Sequence, residues 1–508
     1  MKKLILLSTI LFAQLSYSAP AASPVDQGLN FYKQKNYRQA ALLFYKVAYS
    51  SPASDKSKLA AKYYLGLTLN KMKLHQVASF PLVSAAQGNN LSVSTKSFEQ
   101  IVKASDALDD KSLLYYSLKK TKVEDLAEIG KELFYNRLAD MYLDDNNPDR
   151  AMAELAKVLA LNPENEEALY LKGLSFIKKN DPSSAIVNYE KLYKRYQDKP
   201  ATSVKKAEAT MALARSHYNS KHWADAISLY REIPKDNDLY RQAQAELTWS
   251  LFRAAQFRSA LSVVQSLNTP YYENFYNPEA LVLRSLILLF ICQVEDLEKS
   301  IQLFQKNYLS TLNVLNVWNG SNYSAIEHFK EVEQTLSQLK KIQDGNLPVF
   351  KGRLPFFVLR SILEEPDIKL KVSYLNKIKL EKRSLYVQFQ GNPNFLKFGT
   401  KIIDARIKNI STEIGEMIKS QLQEKEVELS EFASQFEFIN YEMLNLKKEQ
   451  AKKKAIASSD APVETNQVNK NDKREFYIQN GYQYYPFQGE FWRDEIGNYQ
   501  YVGVNRCE

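Results

Sequence analysis

Between Arg137 and Ala168 the chain reads RLADMYLDDNNPDRAMAELAKVLALNPENEEA, and its small, large and polar positions fall on a schedule. Ala139, Tyr142, Ala151, Leu155, Val158 and Pro163 stand at offsets 0, 3, 12, 16, 19 and 24. This is the pattern of two antiparallel helices. The small residues let the helices approach, the large ones fill the gap to the neighbouring pair, and the proline stops the second helix. The next unit follows in register, with Gly173, Phe176, Ala185, Tyr189 and Leu192. Two earlier units carry Gly28, Phe31, Ala40, Phe44, Val47 and Pro52, then Gly66, Leu69, Ala78, Leu82 and Ala85. Three more divergent units run through Ala214, His217, Trp223, Ala226, Tyr230 and Ile233; Thr248, Leu251, Phe257, Ala260, Val264 and Leu267; and Ser285, Leu288, Leu297, Ile301 and Phe304. Residues 93–130 read as a further, degenerate helical pair. About six to eight units suffice to bury a continuous core.

These offsets are the consensus positions of the tetratricopeptide repeat, which the sequence resembles closely. The resemblance implies an all-α fold, a helical solenoid whose packing positions include Gly28, Ala40, Gly66, Ala78, Ala139, Ala151, Gly173, Ala185, Ala226 and Ala260. It also implies binding of protein partners. Some peptide-binding members use a lysine and asparagine clamp on the first helix of a unit. In the first unit the equivalent positions are Val25 and Leu29, so that clamp is not evident.

Beyond Lys306 the repeat rhythm stops. Residues 307–367 read as a helical extension with a Pro/Gly break at DGNLPVFKGRLP. Residues 368–454 are charged and helix-rich, interrupted by QGNPN. Leu429, Phe432, Phe436, Ile439, Met443 and Leu446 form a heptad seam. Ile403, Ile407, Ile410, Ile414 and Met417 form another in a different phase, with Gly415 near the shift. The seams are too short for an independent rod and predict a helical hairpin or short coiled coil. Residues 455–473 turn polar and aperiodic, a linker, and 474–508 form an aromatic C-terminal motif. The expected organisation is thus 1–18 signal, 21–92 N-terminal repeat units, 93–130 degenerate pair, 131–306 main array, and the four segments just described.

Composition sharpens this reading. The 508 residues are 45% apolar and 25% charged, with only 15 glycines but 32 tyrosines and 25 phenylalanines, which disfavours a glycine-dependent α/β enzyme and suits interlocking helices. The start, MKKLILLSTILFAQLSYSAPAAS, has the basic, apolar and small-residue sections of a secretory signal peptide, with cleavage after Ser18. Its apolar run is short for a membrane span, and no cysteine follows it, so the expectation is a periplasmic protein that is not a lipoprotein. Net charge is +10, or about +8 once Lys2 and Lys3 leave with the signal. That mild excess allows peripheral attraction to anionic lipid but argues for no nucleic-acid partner.

Candidate chemistry is sparse. The signatures HExxH, GxSxG, P-loop and GxGxxG are all absent, so neither cofactor nor small-molecule substrate is expected. His217 and His222 have no cysteine or carboxylate at ligand spacing, and no metal site is expected. Glu490, Asp494 and Glu495 in the tail raise an alternative, a peptidoglycan hydrolase. A tail of this length lacks the walls of a cleft, and a small β-hairpin turning at IGNY is the better reading. Such a hairpin is too small to stand alone, so Phe487, Phe491, Trp492, Tyr499 and Tyr501 are expected to dock. Cys292 and Cys507, the only cysteines, are a disulfide candidate in an exported chain. The alternative is a buried free Cys292 with a loose Cys507, free to pair between chains.

Two further stretches carry a finer resemblance. Trp249 to Cys292 (WSLFRAAQFRSALSVVQSLNTPYYENFYNPEALVLRSLILLFIC) and the GEFWRDEIGNYQY tail resemble cell-envelope tetratricopeptide proteins of myxobacteria and their predatory relatives. Some of these are associated with adventurous gliding motility. The resemblance implies a non-enzymatic scaffold in a cell-envelope complex. An outer-membrane assembly or secretion accessory is the nearest alternative.

Overall fold

The computed structural model describes residues 23–120, 122–200, 203–269, 275–343, 352–459, 496–499, 501 and 507. Every regular element among them is helical. No helix among them is long and apolar enough to cross a membrane. The signal region, Phe487, Phe491, Trp492 and the flanks of the expected hairpin lie outside the described residues.

Seven helix pairs are antiparallel and built like tetratricopeptide units. They are Pro24–Lys33 with Tyr37–Tyr45, Asp55–Lys71 with His75–Ala86, Glu128–Asp144 with Pro148–Leu161, Glu166–Lys178 with Pro182–Arg195, Val204–Asn219 with Trp223–Arg231, Tyr240–Arg253 with Phe257–Leu267, and Pro278–Phe290 with Val294–Phe304. Their turns share one construction. The residue seven positions after each unit's first small residue is left-handed: Lys35, Lys73, Asn146, Asn180, Lys221, Ala255 and Cys292, with φ between 53° and 62°. The next N–H then reaches back to the carbonyl at offset 3, as Asn147 does to Tyr142 at 2.7 Å, Asp181 to Phe176 at 2.9 Å and Gln293 to Leu288 at 2.9 Å. Such a bond satisfies an orphaned helix-end carbonyl and reverses the chain. Even the divergent units keep it.

Offsets 0 and 16 meet in space. A Cβ on Gly28 would stand 2.6 Å from the Phe44 ring, one on Gly66 2.3 Å from Leu82 Cγ, and one on Gly173 2.6 Å from the Tyr189 ring. Ala40, Ala78, Ala151, Ala185, Ala226 and Ala260 are all fully buried. The spacing therefore encodes contact between the paired helices: each small residue leaves the volume that a large one fills.

The chain divides into two compact units, Met1–Gly130 with Asn376–Arg406, and Lys131–Leu375 with Ile407–Glu508. The helices Pro366–Phe389 and Pro393–Ser459 form an antiparallel hairpin. Pro393, at a helix start where its missing N–H costs nothing, follows the break at Gln390–Asn392. Within the first unit Phe389 lies 4.3 Å from Phe395 between ring centroids, and Lys382 pairs with Asp404 at 2.7 Å. Tyr45 packs edge-on against Phe395 at 5.2 Å, which ties the first helix pair to the hairpin. The second helix runs to Ser459, into the stretch read as linker from 455, because its alanines and lysines there favour helix.

In the second unit this long helix packs along the repeats instead of projecting as a rod. Phe436 stacks on Phe304 at 4.0 Å, the Tyr276 hydroxyl donates to Glu428 at 3.1 Å, and Lys447 pairs with Glu298 at 2.8 Å. Leu429, Phe436, Ile439 and Met443 are buried as the seam predicts. The earlier seam is corrected. Ile410, Ile414, Ile418 and Leu422 are buried, whereas Ile407 and Met417 are half-exposed. A run of steps of four replaces the alternation of three and four around Gly415, whose backbone abuts Ala325.

One buried charge in the first unit has a stability consequence. Glu381 accepts the backbone N–H groups of Gln76 and Val77, both at 3.0 Å, at the start of the His75–Ala86 helix. Burial outweighs those bonds and pushes its carboxyl from 4.5 up to about 7. An acid whose folded pKa is raised contributes stability fully present below its unfolded value and lost as pH rises through the folded one. The protein should therefore lose up to about 3 kcal/mol between pH 4.5 and pH 7 through this group. In Glu381→Gln that decline should vanish from urea unfolding curves measured across the range. Parallel declines in both proteins would place its origin elsewhere.

Candidate partner-binding groove

In the second unit the first helices of three successive pairs present one face to a common groove of about 630 Å³. Glu166–Lys178 contributes Tyr170, Leu174 and Ile177; Val204–Asn219 contributes Ala212, Arg215, Tyr218 and Asn219; Tyr240–Arg253 contributes Glu246, Trp249 and Arg253. Steps of three and four keep each set on one side of its helix. Glu279, from Pro278–Phe290, closes one end, and Tyr189 and Tyr230 form the floor.

The floor is locked. Glu246 holds Arg215 in a two-pronged pair, with Nε at 2.9 Å and Nη2 at 2.7 Å, and accepts the Tyr230 hydroxyl at 2.9 Å. That bond to Glu246 raises the pKa of Arg215 further. Burial raises the phenols of Tyr170, Tyr189 and Tyr230, so all three are neutral donors at physiological pH. Trp249 donates its indole N–H to Glu279 at 3.0 Å, which fixes the ring plane, while burial raises the Glu279 carboxyl. Arg253 is different. It is exposed at the groove, and among the described residues it has no carboxylate partner. The arrangement offers aromatic faces, the phenol hydroxyls of Tyr170 and Tyr189 and one uncommitted guanidinium. It brings together no nucleophile, base and oxyanion donors of the kind acyl transfer needs.

The clamp positions of the first unit, Val25 and Leu29, give no sign of this groove. The position one after the small residue, Leu29 there, becomes Leu174, Arg215 and Trp249 in later units. Following that single position along the repeats is the signal that finds it.

Of the C-terminal residues, the structure joins Cys292 and Cys507 in a disulfide, with Cα atoms 5.0 Å apart. Ile496–Asn498 form a turn and Ile496 is buried. The Gly497 N–H donates to Ser266 Oγ and the Tyr501 N–H to Ser262 Oγ, both at 2.8 Å, so the tail rests on the Phe257–Leu267 helix. Tyr499 and Tyr501 are half-buried there. The tail carboxylates Glu490, Asp494 and Glu495 lie outside the described residues.

The histidine reading needs correction. His217 does have a carboxylate nearby: Asp225 Oδ2 lies 3.8 Å from its Nδ1. The left-handed turn at Lys221 folds the first turn of one helix back over the last turn of its partner, which linear spacing does not reveal.

A tetratricopeptide-repeat family model matches residues 136–200 and 170–243. No curated protein matches the chain. Among solved structures, a tetratricopeptide repeat protein from Parabacteroides merdae is similar at 16% identity, covering 56% of this chain and 91% of that one, with a TM-score of 0.26. A Rap protein complexed with competence and sporulation factor is 11% identical over 78% and 98%, with a TM-score of 0.26. The repeat domain of P58(IPK) is 11% identical over 75% and 98%, with a TM-score of 0.19. The family match, the common turn and the buried small positions converge on one statement: residues 136–243 of this chain carry tetratricopeptide repeats.

Proposed function

We propose that the protein is an exported, non-enzymatic scaffold of a bacterial cell envelope that holds a segment of a protein partner in the Tyr170–Glu279 groove. The observation that carries this reading is the fixed Trp249 face beside the uncommitted Arg253. Together they suit a peptide offering an apolar side chain for stacking and a carboxylate for the guanidinium. The secretory pattern at the N-terminus supports export, and so does the disulfide, since such bonds persist in oxidising compartments. The resemblance of the Trp249–Cys292 stretch and the tail to gliding-associated envelope proteins favours a motility complex over an outer-membrane assembly or secretion role.

Affinity capture from envelope extracts tests this. The native protein should retain a partner that Trp249→Ala and Arg253→Glu bind at least about thirtyfold more weakly, the loss typical of an interface anchor. Equal recovery with native and variant proteins, or no reproducible partner, would overturn the groove. Recovery of β-barrel assembly components would select the accessory role instead.

A further inference from the structure

We propose that His217, His222 and Asp225 form a binding site for a divalent first-row cation of the Zn²⁺ class. His217 lies in the last turn of the Val204–Asn219 helix, His222 precedes the Trp223–Arg231 helix, and Asp225 lies in that helix's first turn. One ligand atom from each lies within 4.8 Å of the other two. Bonds of about 2.0–2.1 Å around a tetrahedral ion set ligand atoms roughly 3.4 Å apart. The 3.8 Å between His217 Nδ1 and Asp225 Oδ2 closes to that by a small side-chain rotation, which the exposure of His222 and Asp225 permits.

Two further observations point to a ligand. His217 Nδ1 is buried without a hydrogen-bond partner, a condition that costs free energy unless something accepts its lone pair or proton. His222 occupies the N-cap position, yet its side chain makes no capping bond, and its ring lies 5.7 Å from that of His217. Two imidazoles with one carboxylate suit Zn²⁺, Ni²⁺ or Cu²⁺, whereas Mg²⁺ and Ca²⁺ prefer oxygen alone. Water would fill the remaining coordination on the exposed side. The ion would staple the two helices of one repeat across their turn. Tyr218, beside His217 and packed on Trp223 at 5.0 Å, lines the groove, so the staple would also steady the groove wall.

Calorimetric titration of the chelator-stripped, untagged full chain with ZnCl₂ tests the site. The native protein should bind one Zn²⁺ per chain. His222→Ala and Asp225→Asn change exposed side chains and should each bind at least about tenfold more weakly, since even outer-shell partners of a metal are worth ten- to a hundredfold. Co²⁺ should give a visible ligand-field band in the native protein that His222→Ala lacks. Failure of the native protein to bind Zn²⁺, equal affinity in the variants, or a Co²⁺ band unchanged by His222→Ala would overturn the proposal.

Discussion

Replacing Gly415 with alanine should destabilise the protein by about 2–3 kcal/mol, the usual cost of overpacking a tight contact. Helix propensity alone predicts the opposite, because alanine in mid-helix is favoured over glycine by about 1 kcal/mol. The steric effect wins because of what the new methyl group meets. It would stand 1.9 Å from the carbonyl oxygen of Ala325 and 2.5 Å from its carbonyl carbon. Both atoms are backbone, so no rotamer change relieves the overlap. Either the Ala325–Gln343 helix or the long helix must shift, and the buried Ile410, Ile414 and Ile418 run with it. Thermal unfolding should show a fall of several degrees. A melting temperature that rises in Gly415→Ala would mean that the two helices do not approach at this point.

Removing the Cys292–Cys507 bond should cost about 2–5 kcal/mol. The two residues are 215 positions apart, and closing so long a loop in the unfolded chain is worth about 5 kcal/mol by chain entropy. The freedom that the cut tail gains in the folded chain, limited by its anchors at Ser262 and Ser266, puts the expected loss below that ceiling. Gly497 belongs to the same anchorage. At φ +84° it adopts a conformation glycine favours, and a Cβ there would fall 2.1 Å from the Tyr240 hydroxyl. Cys292→Ser, Cys507→Ser and the double variant should lose the same amount, because one bond is broken in each case. Additive losses, or two free thiols in a non-reducing mass map with no change in melting temperature, would contradict the bond.

How much of this was legible in the sequence depends on whether the determinant is periodic. The offsets from Gly28 to Phe44 and from Gly173 to Tyr189 are readable because one helical pair repeats the same steric problem. Its solution, a small residue facing a large one, leaves a mark in the composition. The left-handed turn was not legible. Lysine, asparagine, alanine and cysteine occupy it in different units, since the backbone bond to offset 3 fixes the turn and the side chain does not. Glu381 was unreadable for a related reason. It sits in a charged helix and looks solvated, and only the approach of the His75–Ala86 helix makes it a buried cap. Ile418 is buried where a strict heptad places Met417, because Gly415 and Ala325 meet there and the buried positions follow a local run of fours. The groove residues Arg215, Trp249 and Arg253 were visible at their positions but acquire meaning only when three units are set side by side. The approach of His217, His222 and Asp225 needs the turn at Lys221, which their linear spacing does not show.

Site-specific photo-crosslinking tests whether the groove binds the partner. A benzophenone side chain placed at Tyr170 or Asn219 lies on the groove face, while one at exposed Lys191, on the Pro182–Arg195 helix, does not line it. Irradiated envelope preparations should give a covalent adduct with the same protein from both groove positions and none from Lys191. Adducts of equal yield from all three positions, or from Lys191 alone, would show that partner binding, if it occurs, does not use the groove.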